Sequence, residues 1–433
     1  MKSLDNASKI LIPKFLEYVN KDNKYLVINP IVPAFLVTNE IGMCVLKLCN
    51  GKNTISDIKK ILSNQAINLT NDKIKQFLIL AQNLNIFLTS SLTPSHKNYI
   101  LRSVYFNMTE ICNLSCKYCY ATERKEGKYP NLTLKEYQAI IDEVLTISPK
   151  ISFNLTGGEP LISPNTIPVA QYLKEKGQEI YLLTNATLIN TENVSIISEL
   201  FDHVRISIDG STAQKHDFYR GKGNYNKSVN AIKLLQDKNV DIRIAMVVTK
   251  ENVADVNNMQ KRWGNKLTYQ PLFPAGNAKK GEDLSLGGLE YYEALNQNSD
   301  INPFTTLENI IAAQKDNRSI YKCAIGDGEF SISCTGDVYP CQLLHLNDFL
   351  IGNVHEKSIK ELYYSEKMTY YKQHTVDKIE KCKDCFLRLF CGGACQARHY
   401  YENNTIEKAG NFCEYEKKGI IDGLLNNYEL VEL

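Results

Sequence analysis

From residue 101 to about 290 the chain repeats one hydrophobic rhythm. Short apolar runs of strand length fall at Val104–Thr109, Ile151–Leu155, Ile180–Thr184, Val204–Ile208, Ile242–Val248 and Leu267–Phe273, and helix-like stretches separate them. Six such units predict a parallel sheet with helices outside it, and they suit a curved, partial (β/α)6 barrel better than a closed eight-fold one. Thr133 and Glu136 have capping-box spacing ahead of Tyr137, Ile140, Ile141, Val144 and Leu145, which starts the first helix. Sites in such sheets gather at the C-terminal ends of the strands.

A different rhythm occupies residues 22–92. Two apolar stretches, Tyr25–Ile28 and Phe35–Thr38, precede three amphipathic segments near Glu40–Leu48, Ile55–Leu62 and Lys73–Leu84, and a strand-like Ile86–Leu88 closes the unit. This reads as a small winged helix-turn-helix domain, with helix starts at Thr54 and Thr70. Residues 310–433 form a third, cysteine-rich unit.

Composition narrows the function. Fifty Lys and Arg against 48 Asp and Glu leave a net charge of +2, so no global field draws the chain to nucleic acid or an acidic membrane. No long uncharged apolar stretch and no signal-peptide core is present, so the expected location is the cytoplasm. Thirteen cysteines in a chain of this size point to metal rather than disulfides.

Cys112, Cys116 and Cys119 are spaced C-x3-C-x2-C in the loop after the first predicted strand, with Tyr118 before the last. Three thiolates can hold three irons of a 4Fe-4S cluster and leave the fourth open, whereas zinc wants a fourth ligand that is not nearby. After the second strand come Thr156, Gly157, Gly158, Glu159 and Pro160. Two glycines permit close backbone approach, and a carboxylate there can receive a cationic amine. Further on stand Cys323, Cys334, Cys341, Cys382, Cys385, Cys391, Cys395 and Cys413, enough for two more clusters or, alternatively, a pair of zinc knuckles. Cys44 and Cys49 lack metal spacing and read as core thiols.

Together these motifs resemble the radical S-adenosylmethionine (SAM) superfamily, and the C-terminal cysteines resemble its SPASM extension. The resemblance implies that Cys112, Cys116 and Cys119 hold the SAM-binding cluster and that Gly157, Gly158 and Glu159 hold the methionyl amine. It also implies that Tyr118, Thr184, Asn185, Ser207, Asp209 and Arg220 line the cofactor pocket, Arg220 at the methionyl carboxylate. Cys323, Cys341 and Cys395 would belong to a nearer auxiliary cluster; Cys334, which the seven-cysteine pattern does not demand, is its expected fourth ligand, with a buried thiol as the alternative. Cys382, Cys385, Cys391 and Cys413 would hold a farther one, making three 4Fe-4S clusters.

The N-terminal unit is similar to the PqqD-like domains of peptide maturases, which add a leader peptide to an exposed sheet edge. The implied activity is maturation of a ribosomally synthesised precursor peptide. In it, reductive SAM cleavage gives a 5'-deoxyadenosyl radical that abstracts a hydrogen, and a Cys-to-carbon thioether cross-link forms, as in sactipeptide and ranthipeptide synthases. Carbon–carbon cross-linking, epimerisation or anaerobic sulfatase maturation to formylglycine are the alternatives. Reduced flavodoxin or ferredoxin is the expected electron donor, with neither nucleic acid nor membrane as a partner.

Overall fold

The computed structural model describes residues 4–90, 101–123, 128–279, 283–296 and 323–433. All six expected strands of the central unit are present: β6 (Ser103–Asn107), β7 (Ser152–Thr156), β8 (Glu179–Thr184), β9 (His203–Ser207), β10 (Asp241–Val248) and β11 (Leu267–Pro271). They run parallel in sequence order, and helices such as Leu134–Ile147 and Asn224–Asp237 cover the outer face. Strand alternation divides the residues: Val104, Phe106, Phe153, Leu155, Val204, Ile206, Ile244 and Met246 enter the main apolar core. Ser103, Tyr105, Asn154, Arg205, Ser207 and Ala245 face inward. The expected capping box forms, Glu136 N–H donating to Thr133 Oγ1 (3.4 Å) and Thr133 N–H to Glu136 Oε2 (2.7 Å).

The sheet does not stop at β6. Strand β12 (Glu329–Ile332), from the C-terminal unit, pairs parallel with β6, and β13 (Asp337–Tyr339) and β14 (Gly352–Asn353) follow antiparallel, giving nine strands in all. The cysteine-rich unit is therefore continuous with the barrel through backbone hydrogen bonds. The start expected for it at residue 310 lies outside the described residues.

The N-terminal unit departs from expectation at both ends. It begins before residue 22: β1 (Lys9–Leu11) pairs with β5 (Asn50–Thr54), and β2 (Glu17–Lys21) joins β3 (Lys24–Asn29) and β4 (Ala34–Thr38) in a three-stranded sheet. The three expected helices form at Glu40–Leu48, Ile55–Asn64 and Asn71–Asn83, with Thr54 and Thr70 as N-caps. Ile86–Leu88 is no strand, because the Asn29 side-chain amide donates to the carbonyls of Asn85, Ile86 and Leu88 and holds that segment as a turn.

β3 and β4 are buried on both faces, which explains their lack of polar alternation. Val27, Ala34 and Leu36 face the unit's own helices. Leu26, Ile28, Phe35 and Val37 pack instead against Leu387, Phe390, Ile420, Leu424 and Leu425 of the C-terminal unit. The outer edge of β4 is taken by the extended segment at Val431, whose N–H donates to Val37 O (3.0 Å) while its carbonyl accepts from Thr38 Oγ1 (2.8 Å). Among the described residues no helix is long and apolar enough to cross a membrane.

Candidate active site

The loop after β6 carries Cys112, Cys116 and Cys119, and its neighbours fix it through its backbone. Gly158 N–H donates to Thr109 O (2.7 Å) and Glu159 N–H to Ile111 O (2.9 Å). Lys117 N–H donates to Tyr219 O (3.0 Å). On the far side, Asn277 donates from its backbone to Cys119 O (3.0 Å) and from its side chain to Cys116 O (3.0 Å). A Cβ on Gly157, whose φ is +144°, would sit 2.8 Å from Asn107 Oδ1, and one on Gly158 would sit 2.6 Å from the carbonyl carbon of Ile111. These glycines seat the cysteine loop against the end of β7.

Glu159 is fully buried and lies outside the cavity wall. Its carboxylate accepts from Thr184 Oγ1 (2.7 Å), Asn185 N–H (2.9 Å) and Leu161 N–H (3.2 Å), locking the ends of β7 and β8 together. Burial pushes its pKa up, and these bonds pull it back. Asp209, expected to line the cofactor pocket, is likewise fully buried behind the wall. It accepts from Arg220 Nε, Tyr118 Oη and Val247 N–H, the last at 2.9 Å. Arg220 also donates to Tyr118 Oη (3.0 Å), so its guanidinium is aimed by Asp209 and Tyr118. Tyr118, Gly157, Gly158, Thr184, Asn185, Ser207 and Arg220 line the cavity.

The C-terminal cysteines fall into two neighbourhoods. Cys395 lies close enough to raise Cys323 and Cys341 further, and Cys382, Cys391 and Cys413 are each raised by neighbouring thiols of their own set. Burial lifts all the shifted thiols above their ordinary value, Cys323 to about 12 and both Cys116 and Cys382 to about 11, so each stays protonated at neutral pH until a metal displaces the proton. Cys334 corrects an expectation. The alternation of β12 carries Phe330, Ile332 and then Cys334 to the helix side, where it is buried beside Tyr137. What stands beside Cys341 is Glu329, on the inward face of the same strand and hydrogen-bonded to that thiol. Cys49 is a fully buried core thiol that donates to Val45 O (3.3 Å), and Cys44 also packs against the N-terminal core.

One cavity of about 550 Å3 runs between these sets. Cys112, Cys116 and Cys119 line it, and so do Cys382, Cys391, Cys395 and Cys413. Several wall residues were not singled out by their local sequence: Arg205, Gln270, Arg398 and Glu416. Arg398 lies between the rings of Phe273 (4.5 Å) and Phe412 (4.1 Å) and pairs with Glu402 (3.2 Å). Burial raises Glu416 to about 7. Burial also lowers the basicity of Arg205.

The donor sets suit iron-sulfur clusters. Three thiols in the first loop leave one corner open, and the cavity beside them presents Asn185, Ser207 and Arg220 to a polar, charged ligand. Among the described residues no three Cys, His, Asp or Glu side chains converge on a single metal ion, as structural zinc would need.

Comparison with known proteins agrees with this chemistry. The family model described as the radical SAM superfamily matches residues 106–262, and SPASM, described as an iron-sulfur cluster-binding domain, matches residues 323–386. The AdoMet-dependent heme synthase of Methanosarcina barkeri is 26% identical over 72% of this chain and 96% of its own length. The antilisterial bacteriocin subtilosin biosynthesis protein AlbA of Bacillus subtilis is 26% identical over 72% of this chain and 70% of its own. A cysteine-type anaerobic sulfatase-maturating enzyme of Clostridium novyi is 26% identical over 70% of this chain and 90% of its own. Among solved structures, Streptococcus suis SuiB bound to precursor peptide SuiA shares the fold over 93% of this chain and 99% of its own, with a TM-score of 0.59 and 15% identity.

Proposed function

Since the chain belongs to the radical SAM superfamily and carries a SPASM iron-sulfur domain, with SAM and 4Fe-4S clusters as its cofactors, we propose that it matures a precursor peptide by forming a Cys-to-carbon thioether. When bound, the first cluster and SAM supply a radical able to take hydrogen from an unactivated carbon. The chain's own residues supply the rest. Asp209 and Tyr118 aim Arg220, and the Glu159 brace sets Thr184 and Asn185 at the cavity wall.

The observation that carries the proposal is one cavity lined by thiols of both the first and the C-terminal sets, with room for a substrate between them. The N-terminal unit supports a peptide substrate. Its β4 edge is taken by Val431, while β2 carries no further strand on its outer edge among the described residues, and an extended peptide can add there. AlbA's role in subtilosin biosynthesis and SuiB's complex with a precursor peptide point the same way.

The test is anaerobic reconstitution with a short cysteine-bearing peptide encoded beside this gene. The expected product is lighter by two hydrogens, has lost one free thiol, and forms far more slowly when the leader segment is removed. A formylglycine product supports the sulfatase-maturing reading instead, and an unchanged peptide refutes both.

A further inference from the structure

Three arginines line the cavity, and two are committed. Arg220 is paired with Asp209, and Arg398 with Glu402 and the Leu272 carbonyl at 2.9 Å. The Arg205 side chain has no hydrogen bond or ion pair among the described residues. It stands on the inward face of β9, in register between Leu183 of β8 and Arg243 of β10, one inward position deeper than Ser207. The electrostatic neighbours of its guanidinium are the phenols of Tyr105 and Tyr120. Tyr105 in turn interacts with Glu329 and Cys341, so Arg205 lies on the side of the cavity that leads to the nearer auxiliary set.

A guanidinium drawn out of water without a counter-charge is costly, and removing one partner from a buried pair costs several kcal/mol for the same reason. Arg205, partly buried at the cavity wall, bears part of that cost beside open space. Its planar fork matches a carboxylate in two parallel hydrogen bonds, and the neighbouring phenols can donate to the same group.

We propose that Arg205 anchors a carboxylate of the substrate at the floor of the cavity, on the side of the nearer auxiliary cluster. The substrate segment that enters therefore carries an acid close to the carbon that reacts. This rests on the reading that the cavity holds substrate, and it narrows that substrate to one with an anionic group.

The test uses the cluster-loaded, SAM-bound full chain and three probes: N-acetyl-glutamyl-amide, its neutral isostere N-acetyl-glutaminyl-amide, and free glutarate. Binding is read from broadening of the probes' proton lines by the paramagnetic clusters. The acid should bind the wild-type protein more tightly than the neutral isostere, and Arg205→Gln should weaken it by roughly tenfold or more while leaving the isostere unaffected. Arg205→Lys should restore part of the affinity, since charge remains and the bidentate fork is lost. Arg243→Gln, the exposed neighbour in register, should bind like wild type. A preference for the capped residue over glutarate assigns the acid to a peptide side chain, and equal binding assigns it to any carboxylate. Equal affinity for acid and isostere in the wild type overturns the inference. So does an Arg205→Gln protein that keeps the preference, or one whose main loss is SAM affinity. Failure of the wild type to alter any precursor peptide would sink the maturase proposal while leaving the carboxylate measurement standing, so the two failures are distinguishable.

Discussion

Gly276→Ala should empty the first cluster site and spare the other two. Gly276 has φ +58°, and an added Cβ would stand 2.7 Å from Thr122 Oγ1, 2.8 Å from Tyr120 O and closer still to Cys119 O. Ordinary contacts begin near 3.4 Å, so the cysteine loop must retreat by about 0.6 Å or more, on the scale at which a preorganised site fails. The left-handed backbone adds about 1 kcal/mol of strain and the overpacking about 1–3 kcal/mol more. The retreat also stretches the two bonds from Asn277 to Cys116 O and Cys119 O. With three clusters the wild-type chain should bind about twelve irons and the variant about eight. Iron and acid-labile sulfide analysis, with the spectral response to added SAM, measures the outcome. Full iron content with an unchanged SAM response would refute the idea that this glycine holds the loop in place.

Asp209→Asn should cost about 3–5 kcal/mol in chemical denaturation and raise the SAM dissociation constant, because Arg220 loses its charge partner in a buried setting. Phe390→Ala should cost about 3–5 kcal/mol, seen as earlier thermal release and proteolysis of the N-terminal unit, since Phe390 meets the Phe35 ring at 6.0 Å in the shared core. Glu416 sits at about 7 in the folded chain against an ordinary 4.5, so between those values the folded state holds a proton that the unfolded state has lost. Its contribution is fully present below the lower value and fades as pH rises through the upper one, by at most about 3 kcal/mol. Denaturant titrations across that window should slope for wild type and flatten for Glu416→Gln.

Much of the site could be read in advance because its signals are local. The β-α rhythm gave six strands within a residue or two at most ends, and the Thr133–Glu136 box formed as spaced. The cysteine intervals also pointed to the two auxiliary sets that the fold assembles. What escaped depends on partners far along the chain. β12 is four residues long and pairs with a strand more than two hundred positions earlier, which no periodicity records. Asn277 and Gly276 carry no metal-binding chemistry and act through carbonyls of the cysteine loop and the Thr122 hydroxyl. Glu159 and Asp209 were recognisable as site residues, but which acid meets a ligand and which holds a neighbour depends on burial. Cys334 looked like a ligand by proximity in sequence, and strand alternation turned it away.

The shared core between the N-terminal sheet and the C-terminal helix has a consequence for how the enzyme is assembled. Cys385 and Cys391 pack at the rim of the same apolar patch that holds Phe35 and Val37. Metal insertion at the distal thiols and seating of the amino-terminal module are thus mechanically joined. A truncation that strips residues 4–90 would bare Leu387, Phe390, Ile420 and Leu424 to solvent, so the module cannot be treated as a detachable adaptor, and a shift at Cys385 or Cys391 would be felt at Phe35 and Val37 in the N-terminal sheet.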